Sequence, residues 1–169
     1  MDEVVKDSRY LSVVERYYTP KYYKNTKSEK EDVCILVHSN KICVVTLAEW
    51  HPVVAEKKEV VSVDYQFDHV NRLCNRVTGK GKKGAQNLHA DSALCRVKCS
   101  DGSQYQVPCG LKCQLLETNG TLKNTPSVLT EKPNTDGYLA VVLPKLKDFK
   151  EEMCKLLAKD SIEPAVMNT

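Results

Sequence analysis

Residues 107–142 read VPCGLKCQLLETNGTLKNTPSVLTEKPNTDGYLAVV, and the alternation and turns of this stretch decide the fold class. It reads as three short β segments stitched by turns. Gly110 interrupts the extended run, as a strand requires where it bends or where another backbone comes close. Leu111, Cys113 and Leu115 alternate with Lys112, Gln114 and Leu116, the period-2 pattern of a half-buried strand. Asn119-Gly120 closes that strand as a turn, and Pro126 and Pro133 punctuate the segment after it. Asp136-Gly137 then turns the chain into a last apolar segment, YLAVVL at 138–143.

Outward from this stretch the same periodicity recurs. Residues 32–47 form the clearest hairpin, VCILV and ICVVTL on either side of a turn at 38–41. Such near-continuous apolar runs bounded by polar turn residues are buried strands. Residues 60–67 alternate as another strand, and 70–77 read as a further short one. Residues 93–107 form a second hairpin tipped by Asp101-Gly102, a dipeptide that accepts the positive φ of a tight turn. After Pro144, Leu146, Phe149, Met153 and Leu156/Leu157 line one face of a predicted helix. The expected organisation is a tyrosine- and lysine-rich arm (1–30), a β domain (31–145), an amphipathic helix (146–160) and a frayed tail (161–169). Tyr17, Tyr18, Tyr22 and Tyr23 flank Thr19-Pro20, so any helix in the arm ends before the proline. The arm either docks these rings on the domain or presents them to a partner.

The totals exclude several classes. With 169 residues and a net charge of only +3, the chain holds a sizeable core and carries no global basic field. No apolar run reaches the length of a membrane span, and the first residues lack an apolar signal core. The expectation is a cytosolic or nuclear protein, without membrane contact, whose eight cysteines are reduced. Four of these, Cys95, Cys99, Cys109 and Cys113, are spaced C-x3-C-x9-C-x3-C. Thiols four apart on one extended strand lie about 13 Å from each other, too far to share a metal. They read as small buried hydrophobes, with metal binding by a folded-back hairpin left open. His38 reads as a turn residue and His51, beside Trp50, as structural.

One local cluster stands out. Residues 76–86, RVTGKGKKGAQ, hold three glycines and the basic Arg76, Lys80, Lys82 and Lys83. This is not a phosphate loop of the G-x-x-x-x-G-K-[ST] type, because that spacing is missing. It is either a solvated turn or an anion-attracting patch able to grip phosphate or an acidic protein surface. No nucleophile elbow, phosphate loop or acid/base set is recognisable in the sequence, which reads as non-enzymatic.

The turn pattern of residues 108–143 resembles the H protein of the glycine cleavage system. There a Pro-x-x-Gly strand ending in Asn precedes Asn-x-Pro-x-Leu and Asp-Gly-aromatic-Leu. Pro108-Cys-Gly110 is one residue shorter than that opening. The resemblance implies a mainly β fold: a lipoyl/biotinyl-type, H-protein-like (single-hybrid) β-sandwich with a C-terminal helix. In that class a lysine at a hairpin tip carries the cofactor arm. Here the tip is Asp101-Gly102, and the nearest lysine, Lys98, lies three residues before it without the residues that flank a carrier lysine. The reading is a retained fold with the arm lost and no cofactor.

A second resemblance covers most of the chain. Residues 14–19 (VERYYT), 34–52 (CILVHSNKICVVTLAEWHP), 79–86 (GKGKKGAQ), 99–102 (CSDG) and 131–145 (EKPNTDGYLAVVLPK) are similar to the Abitram/Simiate family of vertebrates and other animals. This resemblance implies actin as partner, filamentous and also monomeric, with promotion of filament assembly and filopodial dynamics in neurons. It also implies a pool in nuclear speckles linked to transcription, hence nuclear protein partners, beside a cytoplasmic pool in actin-rich projections. It brings no catalytic or mapped binding residue. The basic loop Arg76, Lys80, Lys82, Lys83 is the natural electrostatic contact for an acidic filament. Two further readings stay open: a subunit of a nuclear nucleic-acid or transcription complex, and a carrier acylated at Lys98.

Overall fold

A computed structural model of the chain describes residues 17–28, 30–67, 70–72 and 85–158. Eleven strands occupy them: β1 (Tyr18–Tyr23), β2 (Val33–His38), β3 (Cys43–Leu47), β4 (Val60–Asp64), β5 (Gln66–Phe67), β6 (Val70–Asn71), β7 (Asn87–Leu88), β8 (Ala93–Cys99), β9 (Gln104–Pro108), β10 (Cys113–Thr118) and β11 (Ala140–Leu143). A six-stranded sheet runs β1-β2-β3-β11-β10-β7, a three-stranded sheet runs β4-β8-β9, and β5-β6 form a short ribbon. Every pairing is antiparallel.

The two hairpins read from sequence are both present, as β2–β3 and β8–β9. The unbroken apolar run of β2 has a specific cause. Val33 and Ile35 enter the main core, where Val45, Leu47, Leu94, Val97, Val107, Leu115 and Val142 are also buried. Cys34 and Leu36 point to the opposite face, into a smaller cluster with Tyr22, Ala48, Tyr18, Val44, Trp50 and Leu157. A strand covered on both faces has no polar side to show, so its sequence does not alternate.

Of the expected arm at 1–30, residues 1–16 lie outside the described residues, and the part that follows docks on the domain as a strand, β1. Tyr18–Tyr23 is an integral strand, paired along its whole length with β2. Tyr22 is buried and its ring centroid lies 4.8 Å from that of Trp50. The Tyr22 amide donates to the Leu157 carbonyl at 2.7 Å, and Leu157 donates back to Tyr22 at 2.8 Å. The backbone N–H and C=O of Tyr22 therefore point away from β2, and by the alternation of a strand so does the backbone nitrogen of Pro20. A proline on that edge has no N–H to offer, which blunts it against further strand addition.

Between β10 and β11 the chain folds into two single helical turns, α2 (Thr121–Asn124) and α3 (Val128–Glu131), where the sequence shows only turn signals. Each inserts one leucine, Leu122 and Leu129, into the core. The buried Asn119 amide donates to the carbonyls of Asp136 and Tyr138, at 2.7 and 2.9 Å, and ties the ends of this excursion together. Gly137 permits the closure by close approach: a Cβ there would lie 2.1 Å from the Val128 carbonyl oxygen.

The predicted helix at 146–160 is also shorter than expected. Besides α1 (Pro52–Ala55), the C-terminal segment supplies α4 (Phe149–Lys155), and Leu146 is 75% exposed outside it. At Leu156 the backbone becomes extended, so Leu157 can pair with β1. Strand capture of Leu157 thus overrides the helical periodicity. The carboxylate of Glu152, buried on α4, accepts from the Lys112 amide at 2.8 Å and fixes the helix against the turn before β10.

Candidate functional site

The β8–β9 hairpin ends in a tight turn at 100–103, where Cys99 donates to the Ser103 carbonyl and Gly102 takes φ +89°. At this tip the Asp101 carboxylate meets Lys58 Nζ at 2.7 Å and accepts from the Ser103 amide at 2.9 Å. The hydrogen bond from Lys58 holds the Asp101 carboxyl well below the usual carboxylate range, helped by Ser103. The same contact raises the Lys58 ammonium above its ordinary value. Lys58 also lies 5.9 Å from the Tyr105 ring centroid, its side chain only 16% exposed. Its stem is covered while its charge neutralises the tip.

The backing of this tip comes from α1 and the strand that follows it. His51 caps α1 by accepting from the Val53 amide on Nδ1 at 3.2 Å, and its ring meets Tyr105 edge-on at 5.3 Å. Burial lowers its pKa to about 4, so it stays neutral and structural, as the sequence suggests. Ser100 donates to the Glu59 carbonyl, and the Thr130 hydroxyl donates to the Lys58 carbonyl at 3.1 Å. A cleft of about 660 Å³ opens beside the tip, between α1, α3 and β4. Lys98 sits on β8 opposite Ser62 and Gln104, exposed but within a paired strand and below the turn. The tip presents a neutralised carboxylate and a glycine, neither of which is acylatable.

The basic residues Arg76, Lys80, Lys82 and Lys83 lie outside the described residues. The roots of their loop, however, are placed. Arg72 donates twice to the Ala93 carbonyl, at 3.1 and 2.8 Å, and once to Gln86 Oε1 at 2.7 Å. Gln86 in turn donates to the Asn71 carbonyl at 3.0 Å. Arg72 and Gln86, the described residues on either side of this segment, are therefore latched to each other against β8. Nothing in the local sequence signals this latch, since Arg72 and Gln86 are fourteen positions apart.

The cysteine reading is corrected in one respect. Cys95 and Cys99 lie on β8 as expected, both buried. Cys109 and Cys113 do not share a strand: β9 ends at Pro108, β10 begins at Cys113, and Gly110 turns the chain between them at φ +96°. Their sulfurs stand 3.4 Å apart. Among the described residues no group of three or more His, Cys, Asp or Glu side chains is placed to hold a metal ion.

A crystal structure of a glycine cleavage system H protein from Mycobacterium marinum superposes on this fold with a TM-score of 0.58, covering 86% of this chain and 94% of that one at 14% identity. That likeness establishes the fold: a lipoyl-type β architecture, here with an ion-paired aspartate at the hairpin tip. Within that class, the chain belongs to the Abitram family. It is 44% identical over 158 residues to Protein Abitram of Homo sapiens, covering 92% of this chain and 87% of the relative. The Drosophila melanogaster protein of that name is 36% identical over 156 residues, covering 91% of this chain and 70% of its own length. The Dictyostelium discoideum one is 33% identical over 141 residues, covering 81% and 78%. No protein-family model matches the chain.

Proposed function

We propose that this chain is a non-enzymatic adaptor that binds actin through its basic loop and regulates filament assembly and filopodial dynamics, with a second, nuclear role in transcription. The observation that carries the binding reading is the latch at the loop's roots: Arg72 and Gln86 clamp the two ends of the segment bearing Arg76, Lys80, Lys82 and Lys83. Joining the flanking residues fixes where the basic segment leaves the fold, so less ordering remains to be done on docking. Four cations on it suit an acidic filament surface, giving fast association and a contact that salt weakens. Family membership supports the same reading, through the partner that the resemblance implies. The non-enzymatic half is supported by the hairpin tip, where Asp101 and Lys58 neutralise each other in place of a modifiable lysine.

The test is charge reversal. Lys80→Glu, Lys82→Glu and Lys83→Glu together should abolish sedimentation with filamentous actin while leaving the melting temperature unchanged. Unaltered sedimentation would remove the loop from the interface. Intact mass after incubation with a lipoate or biotin ligase should stay that of the unmodified chain; an adduct on Lys98 would overturn the adaptor reading in favour of a carrier.

A further inference from the structure

We propose that Cys109 and Cys113 form a dithiol that peroxide closes, slowly at neutral pH, to an intramolecular disulfide that loosens the C-terminal helix. Three observations carry it. The two sulfurs are already in contact at 3.4 Å across a three-residue turn. That turn is fixed by glycine for two reasons, the positive φ of Gly110 and the proximity of Ile35 Cδ1, 3.1 Å from where a Cβ would lie. Finally, the turn holds α4: the Lys112 amide, between the two cysteines, donates to the buried Glu152 carboxylate.

Access to the pair is asymmetric. Cys109 is fully enclosed, with Cys43 beside it, whereas Cys113 borders a cleft of about 170 Å³ with His89, Lys112, Lys145 and Asp148 around its mouth. A hydroperoxide is small enough for such a space. The Cys113 thiolate attacks a peroxide oxygen and breaks the O–O bond, giving a sulfenic acid; the hydroxide released takes up the thiol proton as water. The Cys109 sulfur then displaces the sulfenic hydroxyl, which leaves as a second water with the Cys109 proton. Two thiols are oxidised by two electrons and one peroxide is reduced to two waters. A thiol such as glutathione reverses the step by exchange.

Burial and the Cys109–Cys113 contact set the rate. The hydrogen bond with Cys109 and desolvation raise the Cys113 thiol, and burial pushes Cys43 up to about 12. Thiolate is scarce at neutral pH, so oxidation is slow there and accelerates about tenfold per pH unit. Closing the pair from 3.4 Å to a bond of about 2.05 Å moves the sulfurs together by roughly 1.4 Å. That displacement falls on the turn whose amide grips Glu152.

The experiment uses the full chain with the exposed Cys154 changed to serine, treated with hydrogen peroxide and then denatured, alkylated and mapped. The expected result is a 109–113 disulfide, about 2 Da lighter, that dithiothreitol reverses. Hydrogen exchange of the Lys112 amide and residues 149–157 should quicken about tenfold in the oxidised protein. The expected control is Cys113→Ala, which removes the disulfide and leaves exchange insensitive to peroxide. Full alkylation of both cysteines after peroxide would overturn the proposal. A disulfide formed with unchanged exchange at 149–157 would overturn its link to the helix.

Discussion

Replacing His51 with asparagine isolates one titrating group from the rest of the fold. The imidazole caps α1 and is almost fully buried, and burial alone lowers its pKa to about 4 from 6.5. Below pH 6.5 the unfolded chain takes up a proton that the folded chain refuses. Stability therefore falls as the pH drops from about 6.5 to about 4 and levels off below that. With these two values the histidine contributes almost nothing at pH 7, and its loss at pH 4.5 amounts to about 2.5 kcal/mol. Asparagine is among the best N-caps and keeps an acceptor for the Val53 amide, but it does not titrate. At pH 7, His51→Asn should cost about 1 kcal/mol through the lost edge contact with Tyr105. At pH 4.5 the order should invert, with the variant the more stable by about 1.5 kcal/mol. Urea unfolding at the two pH values, followed by the fluorescence of the single tryptophan Trp50, measures both gaps. A wild-type-to-variant difference that stays constant between pH 7 and 4.5 would refute the buried neutral imidazole.

Three other outcomes are expected. Gly137→Ala should destabilise by about 3 kcal/mol in urea unfolding, because its Cβ collides with the Val128 carbonyl, whereas Gly120→Ala, in open space, should change stability by less than about 0.5 kcal/mol. Tyr22→Ala should cost about 3–5 kcal/mol in the same assay, since it empties the smaller cluster and removes the ring that packs beside Trp50 and Leu157, while the backbone bonds to Leu157 remain. NMR titration of Asp101 should show a carboxyl well below the ordinary range that returns toward it in Lys58→Ala. The stability this pair supplies is present above the unfolded aspartate's pKa and is lost as the pH falls through the lower folded value.

The parts of the fold that were legible in the sequence are those set by local patterns. The 32–47 hairpin announces itself because both its strands are apolar and its turn polar, and Asp101-Gly102 marks the second hairpin by φ preference. The features that the pattern hid depend on distant partners. β1 reads as an arm because tyrosines around a proline carry no alternation, yet Tyr22 finds its place against Trp50, twenty-eight positions on. The helix is cut short by the pairing of Leu157 with that same strand. Lys58 reaches the tip from 43 residues away, which no motif at the tip could show. The 109–113 turn was half visible: Gly110 signalled a break, but an extended-strand spacing placed the thiols far apart, and only the positive φ brings them into contact. The basic loop was visible as composition and its latch was not, since Arg72 and Gln86 are ordinary residues until the chain closes on itself.

Co-sedimentation of the purified chain with filamentous actin, across a salt series, tests the adaptor reading most directly. Saturable pelleting at low salt that weakens steadily as salt rises is the predicted result, as befits contacts made by exposed charges. Absence of pelleting at low salt, with the protein folded and the filaments intact, would contradict direct actin binding.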